Sequence, residues 1–389
     1  MLPRHPTGKT FPGPEWPLLL ECASVEPYAL RWAELVRLAD WPSLLALAEE
    51  HGMIGHLVRR LHELDETLVP REMKQTLTEC HKAQLFFSMR LIAELFHLME
   101  CFASEQIDIL VVKGPVLAAQ AYGNAAVRSY GDLDVLVRQG DIHRAMAVMM
   151  AANYKSRIPL RAVAAGRNPG QYLFYQPNEN LIVELHSEHT LRYFPRQLPL
   201  QKCFERQIRV RIDAREVPAL SVEDELVLIC IHGAKHFWER LMWIADVAWL
   251  VSRQTEIDWE RTVQTAAEVG AERMLNLGLR LAADLLKMPL PSRILAMVRS
   301  DVVAAQLVEQ ILPWLPAAGH ASPSLFDRAL FRMRMRGGHI SGPFYLLRLS
   351  LSPTEEDWKD GPEVGQSGFL DALGRPFRLA RKYGRNSKS

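Results

Sequence analysis

The chain has 389 residues, 48% of them hydrophobic and 23% charged. That is too long for one small core and too apolar for a disordered or fibrous chain. Its 46 Lys and Arg nearly cancel its 45 Asp and Glu, which excludes a whole-chain field aimed at nucleic acid or an anionic membrane, so any polyanion has to be met locally.

Five cysteines, Cys22, Cys80, Cys101, Cys203 and Cys230, are scattered without a C-x-x-C pair. This points away from a disulfide framework or a cysteine zinc site and toward a reducing cytoplasm. No segment reads as a signal h-region or a membrane span, so the protein is expected to be soluble and cytoplasmic.

Residues 1–16 carry four prolines and two glycines and read as a loose arm. Apolar spacings of three and four over Trp41–Leu64 predict a helical hairpin broken at His51-Gly52-Met53. Arg71–Ser104 reads as one long amphipathic helix or two short ones. Residues 1–104 are thus an N-terminal helical region.

The pattern changes at Ile107, where a β-branched apolar run to Val112 predicts a strand ending at Lys113-Gly114. Pro115–Tyr122 reads as a short helix with its proline in the first turn, and Asp141–Ala152 as a helix capped by Asp141. Strands are predicted at Asp132–Val137, Gln171–Tyr175 and Leu181–His186. In the last of these, Glu184 and His186 fall on one face and Val183 and Leu185 on the other, an alternation that suits a sheet with one buried side. Short strands at Ile208–Ile212 and Glu216–Pro218 complete an α/β core over residues 105–220.

From Ser221, which opens a helix in a capping-box-like spacing, residues 221–389 read as a C-terminal helical region with a basic tail. Ser352-Pro353-Thr354-Glu355 resembles a further capped start. Arg328, Arg332, Arg334 and Arg336 read as a solvated helix face, or as a local patch for a polyanion. The fold class is α+β, a small mixed sheet with flanking helices embedded between two helical regions.

Asp132 and Asp134 carry the most informative chemistry. A strand sends both side chains the same way, about 7 Å apart, and like charges that close need a cation. They hold a divalent metal against phosphates, or Asp132 lies in a turn after Gly131 and Asp134 faces solvent. Glu184, on a separate strand, is the candidate third acid and a base toward an attacking hydroxyl.

A glycine after a buried strand lets backbone N–H groups approach a phosphate beside the Lys113 cation. Lys113 and Arg128 either grip phosphate or only neutralise the nearby acids. His232 and His236 share a helix face. Gly233 stands where a zinc protease needs a glutamate, which rules that activity out. The two histidines line a cleft in which a base stacks on Trp238 or Trp243, or they belong to ordinary helix core.

The order of a strand, Lys113-Gly114, Arg128, the run Gly131-Asp132-Leu133-Asp134-Val135, then Val183-Glu184-Leu185-His186 and His232-Gly233-Ala234-Lys235-His236 resembles the DNA polymerase beta-like nucleotidyltransferase superfamily. Within it, the likeness is to a branch of uncharacterised bacterial nucleotidyltransferases. It spans about residues 107–190, extended by the helical segment to about 251.

The resemblance implies a polymerase-beta-like mixed sheet, with Asp132, Asp134 and Glu184 as catalytic residues and ligands of Mg²⁺ or Mn²⁺. Nucleotide binding falls to Lys113, Gly114, Arg128, His232 and His236. The donor is a nucleoside triphosphate, and the acceptor is a small molecule, peptide, polysaccharide precursor, protein or RNA. The superfamily's Gly-Ser turn is here Gly114-Pro115, with Lys113, Arg128 or backbone N–H groups in place of the serine. A catalytically inactive nucleotide-binding or scaffold protein, and a toxin–antitoxin modifier of protein or tRNA, fit the same motifs.

Overall fold

A computed structural model describes residues 13–26, 29–62, 68–124, 127–156, 170–177, 180–187, 196, 198–317 and 324–336. The start expected at Ser352-Pro353-Thr354-Glu355 and the basic tail lie outside them.

β1 (Ile109–Val112), β2 (Leu133–Val137), β3 (Lys155–Ser156), β4 (Gln171–Gln176), β5 (Leu181–His186), β6 (Ile208–Ile212) and β7 (Arg215–Ala219) form one mixed sheet in the order β3-β4-β5-β2-β1-β7-β6. The central β2 runs antiparallel to β1 and parallel to β5, and β1 runs parallel to β7. Helices flank it, giving the α+β class expected from the sequence.

The helices that matter for the site are α1 (Glu15–Ala23), α2 (Ala29–Leu38), α3 (Trp41–Glu50), α4 (Ile54–Leu61), α5 (Arg71–Ser104), α6 (Gly114–Tyr122) and α7 (Ile142–Ala151), followed by further helices from Leu200 onward. The α3–α4 hairpin breaks at His51-Gly52-Met53, where Gly52 takes φ +69°. α5 is a single helix of 34 residues.

β1 begins two residues later than the apolar run, because Ile107 donates its N–H to Phe102 O and closes the end of α5. Asp141 stands at the start of α7, but its carboxylate accepts from Arg144 at 3.0 Å and caps no helix N–H. Ser221 does cap, accepting the Asp224 N–H at 3.2 Å, while the Asp224 carboxylate turns away to Arg206.

The period-2 alternation divides the sheet's side chains between two apolar bodies. Ile109, Val111, Leu133, Val135, Val137, Val183 and Leu185 pack on the C-terminal half of α5 and on α7. Leu110, Val112 and Leu136 join a larger core in which α1–α4 pack with the helices between Val222 and Met335. The second sheet face is therefore covered too. Beyond Leu136 the even-numbered side chains turn polar, and a cavity opens between sheet and helices.

The helix Leu325–Arg334 keeps only part of the expected solvated basic face: Arg334 is exposed, and Arg328 and Arg332 are half-buried. Phe331 is fully buried and Arg336 nearly so, and the guanidinium groups of Arg328 and Arg332 lie 5.0 Å from the Phe237 ring centroid. The stems of Arg328 and Arg332 cover apolar surface there.

Trp238, fully buried, is the keystone of the helical body. Its indole lies on Gly233 and Gly278, where a Cβ would come within 2.5 Å and 3.0 Å of the ring. Gly233→Ala is expected to lower stability by about 1–3 kcal/mol through overpacking, read as a lower urea midpoint with an unchanged slope.

Candidate active site

A cavity of about 860 Å³ lies between the polar end of the sheet and the helical body, within the size range of small-molecule sites. Asp132, Asp134, Glu184, Lys113, Gly114, Arg128, His232 and His236 all line it, so the residues singled out in the sequence converge on one space. The cause is register. Asp134 pairs directly with Glu184 across the parallel β2–β5 ladder, and side chains directly opposite on one sheet face stand within reach of each other. Asp132 falls just before β2 and outside the ladder, yet faces the same cavity.

Asp134 is buried, 4% exposed, and both its oxygens are engaged, one by Lys113 and the other by His186. Lys113 Nζ lies 2.7 Å from Oδ2, and His186 Nε2 lies 2.7 Å from Oδ1 and 3.4 Å from Glu184 Oε2. Burial works against the Asp134 charge, but Lys113 and His186 outweigh it and hold its carboxyl well below the usual carboxylate range. Burial likewise opposes the imidazolium of His186, and its hydrogen bonds to Asp134 and Glu184 overturn that and raise its pKa. Asp132 goes the other way: burial and the Asp134 charge push it up to about 6. Gln171 donates to Glu184 Oε2 at 2.6 Å and steadies it. His186 was visible in the sequence as the residue sharing Glu184's strand face; that alternation was the signal for its place in the cluster.

Lys113 makes the turn from β1 into α6 with φ +53°, followed by Gly114 at φ +37°. A positive φ is costly for a residue with a Cβ and persists where the surroundings impose it. Here the Lys113 N–H donates to Glu225 Oε1 at 2.8 Å. Glu225 comes from the first turn of the helix Val222–Lys235 and is 1% exposed, and its Oε2 has no partner among the described residues. The sequence offered no sign of this, since the bond spans 112 positions.

Arg128 is anchored from below. Its Nε donates to both oxygens of Asp246 at 3.0 Å, and Tyr122 OH donates to Asp246 Oδ1 at 2.9 Å. The Tyr122 ring stacks edge-on against the buried His56, centroids 4.9 Å apart. The arginine thus answers a buried carboxylate with one edge of its fork while the cavity runs along the rest.

His232 and His236 stand 4.7 Å apart, ring to ring, and both lie against Trp243. Burial, followed by Lys113 for one and Lys235 for the other, lowers both pKa values, that of His236 to about 3, so both are neutral at physiological pH. Of the two tryptophans considered for stacking, Trp243 lines the cavity and Trp238 is sealed in the core. Trp238 is thereby excluded, because its indole fills the space over Gly233.

A second concavity of about 610 Å³ is lined by Lys202, Arg206, Arg261 and several acids. Its cations are already matched, Lys202 with Glu268, Arg206 with Asp224 and Arg261 with Glu223 and Asp258.

Comparison with known proteins gives the chain its class. The sequence profile of a family described as "uncharacterised nucleotidyltransferase" matches residues 37–287, nearly two thirds of the chain and every residue of the cavity cluster described above. The chain belongs to that nucleotidyltransferase family. No curated protein matches it. Among solved structures it is similar to the solution structure of the antibiotic-resistance factor ANT(2'')-Ia, with 11% identity, 57% of this chain and 98% of that chain covered, and a TM-score of 0.29. Among the described residues, no helix of this nucleotidyltransferase family member is long and apolar enough to cross a membrane.

Burial pushes the Glu225 carboxyl from 4.5 up to about 7, against the pull of the Lys113 N–H. Between those values the folded chain holds more protons than the unfolded one, so this group's contribution to stability falls as pH rises from about 4.5 to about 7. Glu225→Gln keeps an oxygen for the Lys113 N–H and removes the ionisation. It is expected to exceed the wild type in stability above pH 7, by at most about 3 kcal/mol, and to match it near pH 4, as read by chemical denaturation at both pH values.

Proposed function

We propose that this nucleotidyltransferase moves a nucleoside monophosphate from a nucleoside triphosphate to an acceptor hydroxyl or phosphate, with Mg²⁺ or Mn²⁺ held by Asp132, Asp134 and Glu184. The observation that carries the reading is the in-register pairing of Asp134 with Glu184 on a cavity wall that Asp132 shares and that Lys113 and Arg128 face. The donor set fits a hard divalent ion, because carboxylate oxygens converge beside space for phosphate oxygens. When bound, such an ion neutralises phosphate charge and makes an attacking hydroxyl more acidic.

The chain's own groups account for the remainder. The acceptor oxygen forms a bond to the α-phosphorus, the bond from that phosphorus to the bridging oxygen breaks, and pyrophosphate leaves with the electron pair. Where the acceptor is a hydroxyl, its proton passes to Glu184. Lys113 and Arg128 balance phosphate charge, and Arg128 is held in place by Asp246 so that it needs little ordering on binding. The N-terminus of α6, starting at Gly114, adds its positive dipole end in place of the serine of the usual turn. His232 and His236 are neutral and can accept or donate a hydrogen bond to the base or the acceptor, while Trp243 offers a stacking face.

One observation favours the catalytically inactive alternative. Both Asp134 oxygens are already engaged by Lys113 and His186, so an ion has to displace at least one of those contacts. Pyrophosphate release with each triphosphate in Mg²⁺ or Mn²⁺ separates the two. An active enzyme should release it, and Asp134→Asn should cut the rate by at least about a hundredfold with an unchanged circular dichroism spectrum. A wild type that binds triphosphate yet never releases pyrophosphate with any acceptor class supports the inactive form.

A further inference from the structure

Resting on the reading that Asp134 and Glu184 hold a divalent ion, we infer that His186 is a ligand of the same ion and that the site prefers a first-row transition ion, such as Mn²⁺ or Co²⁺, to Mg²⁺. The placement follows from the sheet. Glu184 sits directly opposite Asp134, and His186, two residues on and on the same face, sits opposite Leu136. Its imidazole therefore reaches Asp134 along the ladder diagonal.

The hydrogen-bonded separations are close to those of ligands sharing an ion. Neighbouring ligands at right angles, each about 2.1 Å from a metal, stand about 3 Å apart. His186 Nε2 is 2.7 Å from Asp134 Oδ1 and 3.4 Å from Glu184 Oε2, and one ligand atom from each of the three residues lies within 4.8 Å of the others. The division of labour on Asp134 agrees, since Lys113 takes Oδ2 and leaves Oδ1 on the imidazole side. Gln171, on the same cavity wall, donates to that Glu184 Oε2 at 2.6 Å, as outer partners orient metal ligands. His186 is 6% exposed, with its Nε2 turned to the two carboxylates.

Selectivity comes from the donor atom. Mg²⁺ strongly prefers oxygen and gains little from an imidazole. Along the first transition row, affinity for a mixed nitrogen and oxygen set rises from Mn²⁺ through Co²⁺. A site of carboxylates alone would lack that bias.

The test uses the full-length chain, freed of metal by dialysis and titrated calorimetrically with MnCl₂, CoCl₂ and MgCl₂, the Co²⁺ form being followed also by visible absorption. Mn²⁺ and Co²⁺ are expected to bind one site at least tenfold more tightly than Mg²⁺. His186→Asn should weaken Co²⁺ at least tenfold and change its absorption, while Mg²⁺ affinity moves less than threefold. Equal Co²⁺ affinity in His186→Asn and wild type, or Mg²⁺ binding as tight as Mn²⁺, overturns the inference. If in the same titrations Asp134→Asn abolishes ion binding and His186→Asn leaves the Co²⁺ affinity unchanged, the inference fails and the metal reading under Proposed function stands. If the wild type binds no ion even with a non-hydrolysable triphosphate present, that reading fails as well. Should His186→Asn not fold, histidine nitrogen resonances of the labelled wild type decide: a shift of the His186 Nε2 signal on adding Zn²⁺ supports ligation, and an unmoved signal overturns it.

Discussion

The site depends on the buried carboxylate of Asp134, held at 2.7 Å by Lys113 on one oxygen and by His186 on the other. An uncompensated charge at that depth would be prohibitively costly, and a compensated one fixes the geometry of everything that compensates it. Lys113 has to sit at the end of β1 with its side chain turned back over β2. His186 has to occupy the cavity face of β5. Neither position is free once β1, β2 and β5 are in register.

From that constraint the wider architecture makes sense. The side chains facing α5 and α7 are apolar throughout, so the sheet is pinned there by ordinary burial. On the opposite face the same strands carry Leu110, Val112 and Leu136 at one end and charged groups at the other. The change from apolar to polar along one face opens the cavity, and the helices that close it bring Arg128's anchor, Asp246, and the His232, His236 and Trp243 cluster.

Much of this was legible in the sequence because it is local. Period-2 alternation located β2 and β5 and put Glu184 and His186 on one face, and the glycine at 52 marked the helical hairpin. The candidate residues all reached one cavity. What the sequence hid was partnership at long range. Nothing in the run around Asp246 shows that it grips Arg128 across 118 positions, and nothing around Glu225 shows that it holds the Lys113 N–H. The expected solvated face near Arg328 holds only in part, because arginine's long apolar stem lets Arg328 and Arg332 serve also as packing surface over Phe237. Trp238 looked like a stacking platform until its glycine neighbours showed where the indole rests.

The contact between Glu225 and the main chain of Lys113 has a mechanical consequence. One end of it belongs to the first turn of a helix in the helical body, the other to the strained bend that leaves the sheet. The floor and roof of the cavity are therefore joined at the bend that carries Lys113, and swinging them apart breaks that bond. As long as that bond holds, whatever enters the cavity comes in past its rim.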